Sequence, residues 1–161
     1  MAINKPHLLT QDGLDRLTIE LEEMRTSGRE RVADRLHRAF QDGQDDDFVD
    51  NAELEAARNA QSFLEGRIKE LEEILKNYQL IDNSDGKSGF VRVGSYVTVS
   101  ENGFDENERY HLVGAAEADP VSGRISNESP LGKALLGAKV GDTVRINAPN
   151  GMIEFEVQKI E

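Results

Sequence analysis

The stretch that decides the fold runs Leu54-Glu-Ala-Ala-Arg-Asn-Ala-Gln-Ser-Phe-Leu64-Glu-Gly-Arg-Ile68-Lys-Glu-Leu71-Glu-Glu-Ile-Leu75-Lys-Asn-Tyr78. Steps of three and four carry Leu54, Ala57, Gln61, Leu64, Ile68, Leu71, Leu75 and Tyr78 along one stripe for more than three heptads. That is the spacing of a helix that pairs with another helix. A partner lies upstream. Leu14, Leu17, Leu21 and Met24 follow the same rule, Gly28 interrupts it, and Val32, Leu36, Ala39 and Phe40 resume it. Thr10-Gln-Asp-Gly13 opens this first arm, with Thr10 or Asp12 as the cap. Two such arms with a short connection pack antiparallel, and an arm of roughly 30 residues reaches about 45 Å. Acids such as Glu22, Glu70 and Glu72 fall on the outer faces and read as solvated surface.

The connection itself is Asp42-Gly-Gln-Asp45-Asp46-Asp47-Phe-Val-Asp50, five aspartates in nine residues. It places negative charge at the far end of a rod. A charge run of this kind is most often a solvated turn. It is also a means of delivering carboxylates to a distant target.

Composition narrows the classes. The 161 residues are 37% hydrophobic and 6% aromatic, lean for one compact core and suited to a helical arm with a modest globular unit. A net charge of −12 disfavours binding to bare nucleic acid, so any work near nucleic acid would go through a protein partner. Without cysteine there is neither a disulfide framework nor a thiolate zinc site. No signal peptide or membrane span is visible, and a cytoplasmic, membrane-free location is expected.

After Asn83-Ser-Asp-Gly-Lys-Ser-Gly89, a linker by composition, the hydrophobic period changes to two. Val91 and Val93, then Val97 and Val99, read as two strands or as one with a bulge at Gly94. Further strands are expected at Tyr110–Val113, Gly123–Ser126, Thr143–Ala148 and Met152–Ile160. The last two flank Pro149-Asn-Gly151, a hairpin turn. Pro130–Leu136 reads as a short helix capped by Ser129 with proline at its first position. Gly137, Gly141 and Gly151 read as turn residues with positive φ. The expected fold class is α+β: a coiled-coil hairpin over 1–82 with its tip at 42–50, a linker over 83–89, and a small antiparallel sheet with one short helix over 90–161.

Several blocks then carry a resemblance. Asn51-Ala-Glu53, Ala56-Ala-Arg58 and Glu65-Gly-Arg-Ile68 in the second arm are similar to the Gre family of bacterial transcript-cleavage factors. So are Ser129-Pro-Leu-Gly-Lys-Ala-Leu-Leu-Gly137, Val140-Gly-Asp142 and Pro149-Asn-Gly151 in the second half. The resemblance covers nearly the whole chain. It implies a coiled-coil hairpin followed by a domain like FKBP-type prolyl isomerases but without that activity. It further implies a monomer whose globular domain docks on the rim of the RNA polymerase secondary channel, through Glu128, Ser129 and Pro130. The hairpin would enter the channel, with Arg29, Arg31, Arg35 and Arg38 facing the 3′ segment of the nascent RNA. Interhelical pairing with Glu53, Glu55 and Glu65 is the other use open to these arginines. The tip would share Mg²⁺ with the polymerase active site, binding none alone, and the polymerase would then hydrolyse its own backtracked transcript. The chain itself would be no enzyme.

Against the family pattern Gly-Asp-Leu-x-Glu-Asn-Ala-Glu-Tyr, the essential Asp falls on Asp47 and the Glu on Asp50. Phe48 and Leu54 replace the usual Leu and Tyr. Counting forward from Gly13 brings Gly43 to the tip glycine, so the loop carries about three extra residues, which add Asp45 and Asp46. An Asp at position 50 reaches about 1.5 Å less far than a Glu. An aspartate-rich tip also resembles the Gre-factor-homologue inhibitors, which block the same channel. Cleavage factor, channel inhibitor and unrelated acidic adaptor are thus the three readings. His7, His37 and His111 lack metal-ligand spacing and read as structural or surface groups.

Overall fold

The computed structural model describes residues 5–42, 51–82 and 89–161. The acidic stretch 43–50, with Asp45, Asp46, Asp47 and Asp50, lies outside the described residues, as does the expected linker apart from Gly89. Packing divides the chain into two units, Leu14–Lys76 and, together, Met1–Gly13 with Asn77–Glu161.

The first unit is the expected helical hairpin. Its first arm is formed by α1 (Gln11–Glu23), a π-turn (Met24–Gly28) and α2 (Arg29–Asp42). Helical dihedrals at Glu23 and Arg29 make these one continuous helix. The second arm is α3 (Asn51–Lys76). Ion pairs between the arms join Arg25 to Glu72, Arg29 to Glu65 and Arg35 to Glu53. The partner number falls as the arginine number rises, which fixes the arms as antiparallel. Leu17, Leu21 and Ala39 are buried from the first arm, and Ala57, Ile68, Leu71 and Ile74 from the second. The expected stripe needs correction at four points. Ile74 is buried in place of Leu75, Gln61 is exposed, Phe40 is half-exposed, and Tyr78 lies beyond the helix. A helix of 3.6 residues per turn drifts from a strict seven-residue repeat, so the contact stripe moves over by one position along α3, to Ala60 and Ile74 in place of Gln61 and Leu75.

The helical unit is shorter than the expected 1–82 at both ends. β1 (His7–Leu9) and β2 (Tyr78–Leu80) pair in parallel within the other unit, with His7 opposite Tyr78 and Leu9 opposite Leu80. Leu9 is fully buried. Three-residue strands leave too little period for a sequence pattern to register.

The rest of that unit is a five-stranded sheet in the order β5-β4-β3-β7-β6. The strands are β3 (Tyr96–Glu101), β4 (Asn107–Val113), β5 (Arg124–Ser126), β6 (Thr143–Ala148) and β7 (Gly151–Ile160). All pairs are antiparallel except β4 with β5. Alternation buries Val97 and Val99 of β3 against Leu112, Ile125, Val144, Phe155, Val157 and Leu135, the last from the helix α4 (Pro130–Leu135). The expected strand at Val91–Val93 does not form, because Gly94 takes φ 98° in a turn. Val91 is still buried and bonds outward, its N–H to the Ala138 carbonyl at 2.8 Å and its carbonyl to Gly137 N–H at 2.9 Å. The expected Asn-Gly turn also differs in register. Ala148 pairs with Gly151, so the two loop residues are Pro149 and Asn150, and Gly151 is already in the strand at φ 127°. Gly137 and Gly141 have positive φ as expected.

His111 stacks on Tyr96 with centroids 4.0 Å apart and rings 8° from parallel, and Arg109 covers the Tyr96 ring at 4.3 Å. Burial pushes the His111 pKa below its ordinary value, outweighing the hydrogen bond with the Gly94 carbonyl. A histidine held neutral by its fold costs stability where the unfolded chain would protonate. The penalty is therefore absent well above about pH 6.5 and grows as the pH falls through that value. Urea midpoints of the native protein should drop between pH 7.5 and 5.5 by more than those of His111→Phe. Equal drops would contradict this.

Candidate functional site

On the first arm, α2 carries Arg29, Arg31, Arg35 and Arg38, all exposed. Their placement depends on the π-turn. After the step of four from Met24 to Gly28, an unbroken alternation of three and four would bring positions 31, 35 and 38 into the seam. The seam instead passes through Val32, Leu36 and Ala39. A π-turn closes over one residue more than an α-turn, and Met24–Gly28 absorbs that extra residue. The arginines are thereby moved to the flank. Gly28 is buried there because a Cβ would come within 3.2 Å of Leu64 Cδ1. The sequence did carry a sign of this, in the repeated steps of four from Met24 to Gly28 to Val32.

The arginines then divide. Arg29 forms a two-bond pair with Glu65, Nε to Oε1 at 2.9 Å and Nη2 to Oε2 at 3.0 Å. Arg35 Nε donates to Glu53 Oε1 at 2.8 Å. These hydrogen bonds raise both guanidinium pKa values and lower those of Glu53 and Glu65. Arg31 and Arg38 have no carboxylate partner among the described residues. Arg38 Nε reaches only the Asp34 carbonyl, at 3.4 Å. Arg31, Asp34, Arg35, Arg38, Ala39 and Glu53 line an open groove of about 520 Å³ between the arms. Interhelical pairing thus takes Arg29 and Arg35, while Arg31 and Arg38 are cationic surface with no carboxylate partner among the described residues. Arg67 was not singled out by the sequence, yet it bridges Glu20 across the hairpin at 2.9 Å and Glu70 along its own helix at 2.8 Å.

In the other unit, Ser129 caps α4 as expected. Its Oγ accepts from Gly132 N–H at 3.0 Å and donates to the Ser126 carbonyl at 2.7 Å. Glu128 and Pro130 are exposed on either side, and Glu128 N–H donates to Ser126 Oγ at 3.0 Å. Gly132 is buried against this loop. A Cβ there would lie 2.0 Å from the Ser126 carbonyl oxygen, a backbone atom with little freedom to yield. Gly132→Ala should therefore lose about 1–3 kcal/mol despite alanine's better helix propensity. An unchanged urea midpoint would contradict the close approach.

One buried acid escaped the sequence reading. Glu117, 3% exposed in a 3₁₀ turn (Ala115–Glu117), accepts from Thr10 N–H and from Thr10 Oγ1, both at 2.7 Å. Thr10 Oγ1 in turn accepts from Gly13 N–H at 3.0 Å, so Thr10 rather than Asp12 caps α1. The signal was Gly13 itself, a poor residue for a first helical turn unless something packs against it. A Cβ at Gly13 would overlap Glu117 Oε1 at 1.9 Å. The histidines have the structural roles expected: His7 in β1, His37 exposed on α2, His111 stacked on β4. Among the described residues no group of three His, Asp or Glu gathers as a metal site, and no helix is long and apolar enough to cross a membrane.

One chain thus carries a helical hairpin with an arginine-lined groove and a sheet unit with a capped helix. Comparisons give that combination its family. Residues 7–80 match the N-terminal domain described as "Transcription elongation factor, N-terminal". Residues 86–161 match "Transcription elongation factor, GreA/GreB, C-term". The chain is 45% identical over 160 residues to the transcription elongation factor GreA of Acetivibrio thermocellus, covering 99% of each. It is 40% identical over 161 residues to that of Clostridium acetobutylicum, covering 100% of each. Among solved structures, Gfh1 of Thermus aquaticus is 32% identical, with 98% of this chain and 99% of that one covered and a TM-score of 0.43. The chain belongs to the GreA/GreB family of transcription elongation factors.

Proposed function

We propose that the protein binds RNA polymerase, passes its hairpin into the secondary channel and stimulates cleavage of backtracked transcripts by the polymerase active site. The observation that carries this is an antiparallel helical hairpin whose arms end at Asp42 and restart at Asn51, either side of the aspartate-rich stretch, in a chain of this family. Asp47 and Asp50 are the metal-facing carboxylates of that stretch, with Asp45 and Asp46 beside them. The donor chemistry fits Mg²⁺, which takes one or two carboxylates and keeps several waters. A second Mg²⁺ held by these carboxylates would supply one half of two-metal phosphodiester cleavage, in which one ion activates the attacking water and the other stabilises the leaving oxygen. The chain contributes reach, charge and orientation: the arms carry the aspartates, and the open arginines meet phosphates of the RNA 3′ segment. Glu128, Ser129 and Pro130, held in a fixed loop by the α4 cap, dock on the channel rim. The chain has no hydrolytic activity of its own in this scheme, and it works as a monomer in the cytoplasm, where the polymerase is.

Arrested elongation complexes given the protein, Mg²⁺ and nucleotides should resume to full-length RNA. Suppressed synthesis would assign it the inhibitor's role, which the two additional aspartates and the shorter Asp50 favour. No effect together with no binding to the polymerase would dismiss both.

A further inference from the structure

We propose that Glu53 is an electrostatic latch on the arginine groove, holding Arg35 until an RNA phosphodiester displaces its carboxylate; this rests on the RNA-facing reading of that groove. Arg31, Arg35 and Arg38 stand one helical turn apart in succession and span roughly 10 Å along α2. The outer two have no carboxylate partner among the described residues, Arg38 reaching only the Asp34 carbonyl, and only the middle one is held by a carboxylate. The pair differs from its neighbour in the hairpin. Arg29 and Glu65 share two bonds and lie outside the groove lining, as a structural brace does. Arg35 and Glu53 share the single Nε–Oε1 bond and both line the groove.

Glu53 also has a reason to stay where it is. It occupies the first turn of α3, where the helix's positive end favours a carboxylate. The side chains are half-exposed, at 44% and 54%, so the pair is weak enough in water for exchange. A phosphate oxygen competes well, because guanidinium pairs with phosphate as readily as with carboxylate. In the latched state the groove offers an anion the two cations Arg31 and Arg38, with the carboxylates of Glu53 and Asp34 also in its lining. A lone anion gains little from that. A strand whose successive phosphates engage Arg31 and Arg38 brings another one against Arg35, and Glu53 yields. The latch thus favours an extended single-stranded backbone over scattered anions.

The test compares the affinity of labelled full-length protein for backtracked complexes, which present RNA 3′ of the active site, with that for unbacktracked complexes. Glu53→Gln should raise the preference for the backtracked complex about two- to five-fold, the scale of one exposed ion pair. Glu55→Gln, the same charge change from another face of α3, should leave the preference as it was. The double variant Arg35→Ala/Glu53→Gln should lose the gain. A Glu53→Gln preference equal to wild type, one matched by Glu55→Gln, or a gain that survives loss of Arg35 would overturn the latch. A wild-type protein that does not distinguish the two complexes would instead remove the RNA-facing reading, and the latch with it.

Discussion

Asp47→Ala is expected to reduce transcript cleavage by at least about 100-fold while binding to the polymerase persists. The magnitude follows from how the aspartates would work. Their contribution is to place charge beside a reacting phosphodiester, and displacement of such a group by about an ångström already costs on the order of 100-fold. Removing the carboxylate does more than displace it. Binding should persist because the loop around Ser129 proposed to dock belongs to a different unit of the fold. Asp47→Asn, which keeps the volume and removes the charge, should behave like Asp47→Ala. Cleavage within a few-fold of wild type in both would show that the aspartate of the family pattern is aligned to the wrong position, with Asp45 or Asp46 the next to test.

Glu117→Ala is expected to lose about 3 kcal/mol or more of stability. Two hydrogen bonds at 2.7 Å end on this side chain, and its loss leaves Thr10 N–H in a site where Thr10 itself is 4% exposed. Hydrogen bonds to a charged group contribute about 1.5–3 kcal/mol each, and a buried donor left without a partner adds its desolvation cost. Glu117→Gln keeps the shape but offers one acceptor oxygen where two are used, so it should fall between Ala and wild type. Gly13→Ala attacks the same contact from the other side, by overlap with Glu117 Oε1. Urea unfolding followed by near-ultraviolet signals from Tyr96 and Tyr110 would report on this unit. A Glu117→Ala midpoint within about 0.5 kcal/mol of wild type, the range of ordinary surface changes, would contradict the account.

Legibility differed by residue. The hairpin was readable because apolar spacing is a long, redundant signal: one misassigned position, such as Leu75 for Ile74, does not alter the period. The α4 cap was readable because Ser129 and Pro130 act locally, and both the cap bond and the helix start fall where expected. Non-local contacts left weaker traces. The parallel pairing of His7–Leu9 with Tyr78–Leu80 joins segments about 70 residues apart through backbone groups that any residue possesses. Glu117 looks like any acid in a loop until Thr10 is brought to it. The division of the arginines into paired and open ones depends on the azimuth of α2, set by the π-turn. That turn showed in the sequence only as a misstep at Gly28.

The proposed role is that this chain makes RNA polymerase cut its own backtracked transcript. The most direct measurement is the length of 5′-labelled RNA in backtracked elongation complexes after addition of the protein with Mg²⁺ and no nucleotides. The account predicts shortened 5′-labelled RNA that remains in the complex and extends once nucleotides are supplied. RNA of unchanged length, with extension suppressed on nucleotide addition, would contradict it.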